Sequence, residues 1–338
     1  MEQFKVIKEN DLELKEYLPN GIKIYSESEF LDRMATENKF WRDTFVKGGY
    51  FNSFNKAKIR FYYAIPKEAK KVVVIVHGFC EFWGKYHELA EYLYKGGYGF
   101  FFLEQRGHGL SEREVKDIDT VHINNFLDYV RDLKRFMDKV VIPKSEGREA
   151  VLFAHSMGGA VSTLFMEKYP DYFKKAILSS PMMKLRTGKI PKAAIDALSV
   201  YVKVTKKQEE LAFNQSHFDP TPIFEKSSTL SRPRYDYLFD QRLLDDHYKT
   251  YGGTYKWEIE SIKAGRMLLK YLPRIKTEVV IFQAGKDHLV DVEGYTDTVL
   301  KNLKGVRIYR YEDSKHEVFN STPKMIYDFY KRFFEELN

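Results

Sequence analysis

VLFAHSMGGA, residues 151–160, begins with residues suited to a buried strand and ends with residues small enough to open a helix. His155, Ser156 and Met157 stand between them. A hydroxyl at the tip of an apolar strand, with Gly158 and Gly159 directly behind it, has two readings. One is an ordinary strand–turn–helix junction. The other is a nucleophile elbow, the strained turn that lifts a serine above the end of a sheet. The rest of the chain decides between them.

Working outward, strands and helices alternate. RFYYAIP (60–66) and KKVVVIVHGF (70–79) read as strands, the second apolar enough to be buried on both faces. Helical spacing follows over KYHELAEYLYKGG (85–97), closed by its glycine pair. GYGFFFLE (97–104) is strand-like, and QRGHGLSE (105–112) is a glycine-punctuated loop. FLDYVRDLKRFMDKV (126–140) has helical spacing, EAVLFAHS (149–156) is the next strand, and GGAVSTLFMEKYP is a helix stopped by Pro170. KKAILSSPM (174–182) gives a further short strand. Alternation then breaks: from 183 to 261 there is no clear strand, and prolines 191, 220, 222 and 233 fall among amphipathic pieces. It resumes with AGRMLLKYL, TEVVIFQAG (277–285), GYTDTVLKNL, VRIYRY (306–311) and the closing helix TPKMIYDFYKRFFEEL. The predicted fold is α/β, a mostly parallel sheet flanked by helices. Residues 1–182 and 262–338 form its core, and 183–261 an inserted helical cap.

Composition sets the outer limits. The 338 residues, 43% hydrophobic and 30% charged, describe a globular chain able to bury a large core. A net charge of +7 is spread along the sequence, without the basic stripe or module that nucleic-acid binding requires. A weak pull toward anionic lipid surfaces is its more direct consequence. With one cysteine, Cys80, there is no intrachain disulfide and no zinc ribbon. HELAE (87–91) starts like a zinc-protease helix but ends on Glu91 where the second histidine belongs, and GYGFFF lacks the third glycine of a dinucleotide fingerprint. Neither a metal nor a cofactor is expected. The amino end is charged throughout and no run reaches 18 apolar residues, so the expected location is cytoplasmic, with peripheral membrane contact the only lipid association foreseen.

Ligands of parallel sheets sit at the carboxyl ends of the strands. The residues just beyond those ends are His77-Gly78-Phe79, Glu104 to Gly109, His155-Ser156-Met157, Asp287-His288 and Ser314-Lys315-His316. A serine needs a base, and the base an orienting acid. Of nine histidines, His155 adjoins Ser156 and points to the opposite face. His77, His87, His108 and His122 precede the serine, whereas an elbow of this type takes its base after the acid. His217 and His247 lie in the insertion, and His288 adjoins the acid candidate. His316 remains as base. Asp287, one strand earlier, is the acid, with Asp291 as fallback; Asp313 stands too near His316 along the chain. Two backbone N–H groups are needed to hold an oxyanion, and they are assigned to Met157, at the start of the helix, and Phe79. Cys80 lies on a strand exit and is not read as a nucleophile.

HGFCE (77–81), EQRGHGLSE (104–112), AHSMGGA (154–160), AGKDH (284–288) and SKHE (314–317) together resemble the α/β-hydrolase branch that contains monoacylglycerol lipases and bacterial lysophospholipases. The likeness to the lysophospholipases extends through FWRD (40–43), SRPRYDY (231–237) and GGTYKWEIESIKAG (252–265), and so into the insertion. Ala154 replaces the glycine, and Glu104 the aspartate, found at those places in many such enzymes. The resemblance implies a serine ester hydrolase acting on a single-chain acyl lipid, lysophospholipid slightly ahead of monoacylglycerol. The same nucleophile, acid, base and oxyanion donors carry over.

Several readings stay open. Lys184, Arg186, Lys189, Lys192 and Lys203 either favour a phosphate-bearing head group or are simply solvated. AAIDALSVYV (193–202) either packs on the core or lies at a lipid interface. A short-chain esterase or a serine aminopeptidase would share the same triad. A non-enzymatic binding protein on this fold would be expected to have lost part of it.

Overall fold

The computed structural model describes residues 3–186, 191–213 and 215–338. Nine strands form the main sheet: β1 (Phe4–Ile7), β2 (Lys47–Asn52), β3 (Lys58–Ala64), β4 (Lys71–Val76), β5 (Gly99–Leu103), β6 (Glu149–His155), β7 (Lys175–Ser179), β8 (Glu278–Ala284) and β9 (Arg307–Tyr311). Their order across the sheet is β1-β9-β8-β7-β6-β4-β5-β3-β2. All neighbours from β1 to β5 run parallel; only β3, paired to β5 and β2, runs against the rest.

The central strands are apolar on both faces because both faces are covered. Val72, Val74 and Val76 enter one core with the helices Leu127–Phe136, Met157–Lys168 and Tyr255–Tyr271. Val73 and Ile75 enter the other with His87–Lys95 and Pro323–Leu337. Each such side chain withdrawn from water contributes roughly 1.5–3 kcal/mol. The seven strands expected from the sequence are present, six of them trimmed by a residue or more and β3 shifted two residues toward the amino end. Two outer strands, β1 and β2, were not foreseen.

Within 183–261 the α-helices among the described residues are Lys192–Val204, Arg232–Leu244 and the start of Tyr255–Tyr271. The segment also holds one short ladder, Gly252–Gly253 running parallel to Thr120–Val121. The helix Tyr255–Tyr271 passes position 261 without a break. Residues 228–231 rest on the loop after β9: Ser228 O accepts from Glu317 N, and the Leu230 and Ser231 amides donate to Asn320 O. Arg234, buried, donates to both Glu88 carboxylate oxygens (2.9 and 2.6 Å) and to Glu27 (2.9 Å), fixing the second helix to the core. These contacts join residues 228–234 to the loop after β9 and to the helix His87–Lys95, with buried charge at Arg234.

Candidate active site

Ser156 is the residue between β6 and the helix Met157–Lys168, and it holds φ +51°, a left-handed conformation that side chains rarely adopt. Its amide donates to Ser179 O on the neighbouring strand, and its carbonyl accepts from the amides of Gly159 and Met182. The turn is therefore fixed from several sides. The two glycines behind it are explained by space. A Cβ at Gly158 would overlap the carbonyl oxygens of Val76 and His77, and one at Gly159 would lie 2.5 Å from the Pro181 Cβ. Only a bare backbone lets the helix start press against the exit of β4. The junction is the elbow.

That contact sets Met157 beside the loop 77–81. The Met157 amide occupies the first helical position, where no intrahelical partner exists. In the facing loop, His77 Nδ1–H donates to Gly78 O (2.7 Å), and its Nε2 accepts from Gln105 N (2.8 Å). Both ring nitrogens are used, and burial pulls the pKa of His77 down to about 4 despite the nearby Glu81. Gly78 N donates to the Glu81 carboxylate (2.5 Å), which also accepts from Tyr86 Oη and Lys85 Nζ. Among the described residues the Phe79 amide between them carries no hydrogen bond. Its ring stacks on Trp257 with centroids 4.0 Å apart.

His316, in the loop after β9, donates from Nδ1 to Asp287 Oδ2 at 2.6 Å, and both residues are buried. The other Asp287 oxygen accepts from the amides of Leu289 and Val290, each at 2.9 Å. Burial works to raise the Asp287 carboxyl, but the charge and hydrogen bond of His316 and these two amides outweigh it and hold it below its ordinary range. An ionised acceptor fixes Nδ1 as the donor, so the neutral ring would carry its lone pair on Nε2. Nε2 is buried and, among the described residues, without a partner. The fallback acid Asp291 is instead paired with Lys184 (2.8 Å).

Seven of the eight eliminated histidines have hydrogen-bond partners. His155 Nδ1–H donates to Ser179 O, and burial lowers its pKa to about 4. His217 pairs with Asp119, His247 with Asp245, and His122 meets Thr254 Oγ1. Cys80 is buried with its thiol pKa pushed up by burial, which suits an inert residue. Among the basic residues singled out in the insertion, Lys184 is committed to Asp291, and Arg186 donates to the carbonyls of Asp287 and Val290. Lys203 is exposed. Lys189 and the side chain of Lys192 lie outside the described residues.

Sequence reading missed what lies beneath the site. Lys85 bridges Glu81 (2.6 Å) and Glu317 (2.7 Å), so one buried ammonium joins the loop after β4 to the residue following His316. Ser180, at φ +43°, donates from its hydroxyl to the His316 carbonyl at 2.6 Å. The one available signal was position, since all of them follow strand ends.

Residues 67–323 match the family model described as serine aminopeptidase, S33. Lysophospholipase L2 of Escherichia coli is 31% identical over 258 residues, covering 76% of this chain and 75% of that protein. Human monoglyceride lipase is 25% identical, covering 76% and 78%. A soluble variant of the Saccharomyces cerevisiae monoglyceride lipase superposes with a TM-score of 0.67 at 18% identity, over 86% of this chain and 95% of that one, a likeness of fold. The chain is an α/β-hydrolase and belongs to the family described as serine aminopeptidase, S33, in the branch it shares with these lysophospholipase and monoglyceride lipase relatives.

Proposed function

We propose that the protein hydrolyses esters of single-chain acyl lipids, lysophospholipid slightly ahead of monoacylglycerol, through an acyl-serine intermediate. One observation carries the reading: a 2.6 Å Asp287–His316 pair leaves Nε2 without a partner among the described residues, in the fold that also holds Ser156 on a strained elbow. In this reading Ser156 Oγ attacks the ester carbonyl and passes its proton to His316 Nε2. Asp287 stabilises the resulting imidazolium. The amides of Met157 and Phe79 receive the oxyanion, aided by the positive end of the helix that starts at Met157. His316 then protonates the departing alcohol, and a water activated by the same nitrogen releases the fatty acid.

The substrate class rests on the relatives and on the inserted cap. Peripheral contact with a lipid surface is part of the same proposal. On the cap helix Lys192–Val204, the side chains of Val200, Tyr201 and Val204 are 63, 55 and 75% exposed, with Lys203 and Lys206 exposed beside them. No helix among the described residues is long and apolar enough to cross a membrane.

The test is fluorophosphonate labelling followed by one substrate panel. Ser156→Ala should abolish labelling, and labelling that persists at another serine defeats the assignment. The panel holds monooleoylglycerol, lysophosphatidylcholine, trioleoylglycerol, an acetyl ester and an aminoacyl anilide, the last because of the family description. Turnover should be fastest on the two monoacyl lipids. Preference for the triacylglycerol, the acetyl ester or the anilide defeats the substrate reading.

A further inference from the structure

Arg242, near the end of the cap helix Arg232–Leu244, is an unusual charge. Its guanidinium donates to three main-chain carbonyls: Cys80 (2.5 Å), Thr250 (2.7 Å) and Tyr248 (3.1 Å). It lies over the Phe82 ring at 5.4 Å. Among the described residues no carboxylate pairs with it, and burial draws the guanidinium below its ordinary pKa. Arg242 is half-buried, and drawing a cation even partly out of water without an acidic partner is a cost, so stability alone is a weak reason for the arrangement.

Its first carbonyl suggests a better one. Cys80 directly follows the oxyanion donor Phe79 and holds φ +57°, a left-handed conformation unfavourable for a residue with a Cβ. The segment is held from below by Glu81 on Gly78 N and by His77 on Gly78 O, and from the cap side by Arg242 on Cys80 O. Phe79 lies between these ties, its amide without a hydrogen bond among the described residues.

We infer that Arg242 is a positioning residue: from the cap, it holds the loop after β4 in the strained form that aims the Phe79 amide at the oxyanion. The cap then does more than cover the site. Losing the Arg242 contact frees the Cys80 carbonyl and loosens the hole, which makes catalytic competence depend on this helix. The inference rests on the hydrolase reading above.

The test compares Arg242→Gln, Arg242→Lys and Arg113→Gln on a soluble p-nitrophenyl octanoate, with inhibition by an alkyl trifluoromethyl ketone, which forms a tetrahedral oxyanion on the serine. Arg113 ties the same 247–250 loop, through His247 O and Thr250 Oγ1, without touching Cys80. Arg242→Gln should lower kcat on the order of 10²-fold and weaken the ketone in parallel, with KM little changed, as expected when a reacting group is misplaced rather than lost. Arg242→Lys should recover part of both, and Arg113→Gln should leave both near wild type. Equal losses in Arg113→Gln, or a loss confined to KM, would reduce Arg242 to a loop staple and overturn the inference. If the Gln variant does not fold, unchanged kcat and ketone affinity in Arg242→Lys overturn it as well. A wild type that hydrolyses no ester defeats the hydrolase reading itself, whereas wild-type turnover insensitive to Arg242 defeats this inference alone.

Discussion

At Asp287 one carboxylate does two jobs, anchoring its own loop through the amides of Leu289 and Val290 and orienting His316. Asp287→Asn keeps the size and removes the charge. The expected loss in kcat is about 10⁴-fold, the magnitude measured for the equivalent change in a serine protease. Asp291→Asn, which breaks only a part-exposed pair with Lys184, should change kcat less than about threefold, since such pairs are worth ~0–1 kcal/mol. Steady-state kinetics on both variants settles the ranking; the reverse order means the acid is misassigned. A second carboxylate titrates in the opposite sense. Glu104 is buried, and burial pushes its carboxyl from 4.5 up to about 7, although the amides of Leu110 and Trp83 oppose the shift. Between those values the folded chain keeps a proton that the unfolded chain has released, so stability falls as pH rises through the window. Glu104→Gln should flatten the decline in Tm between pH 4.5 and 7, which a series of thermal melts measures. The proposed triad is legible in the sequence because each member follows a strand end and their order along the chain leaves one base. Lys85 and Arg242 are not: their partners lie in other elements, and periodicity carries no record of such pairings.

Among the elements, the elbow helix is defined by what it touches. Gly158→Ala places a methyl group against two main-chain carbonyls that cannot rotate away. Overpacking of this kind costs about 1–3 kcal/mol, so Tm should fall by several degrees and activity should drop with it. A variant with unchanged Tm would mean that the helix start is looser than the contact implies. The cap helix Lys192–Val204 is the contrasting case. It carries three exposed apolar side chains, while the helix Met157–Lys168 is buried almost throughout. Amides in the cap helix should exchange with solvent faster than those of 157–168, and equal protection would count against a mobile cap. The same contrast explains which strands the sequence revealed. β4, β5 and β6 are apolar runs covered on both faces. β2 carries Gly48-Gly49 at its centre, and β1 buries only Ile7 fully. An outer strand with one wet face and breaker residues leaves no pattern to read.

For the whole molecule, charge and exposed apolar surface point the same way. A net charge of +7 and the Val200–Tyr201–Val204 cluster should together favour anionic over neutral vesicles. Val204→Ser should weaken sedimentation with anionic vesicles roughly tenfold, the scale of one lost valine burial, while leaving hydrolysis of a soluble ester unaltered. Vesicle binding that ignores the substitution would remove this helix from the contact. The sheet itself has a consequence in time. Phe4 pairs with Ile308, so β1 lies next to a strand made about 300 residues later. At roughly 5–20 residues per second, β1 waits on the order of tens of seconds for its neighbour to leave the ribosome. Asp287 and His316 arrive in the same late stretch. The nascent chain therefore carries Ser156 long before it carries the proposed acid and base, so any acyl transfer at that serine waits until His316 has been made.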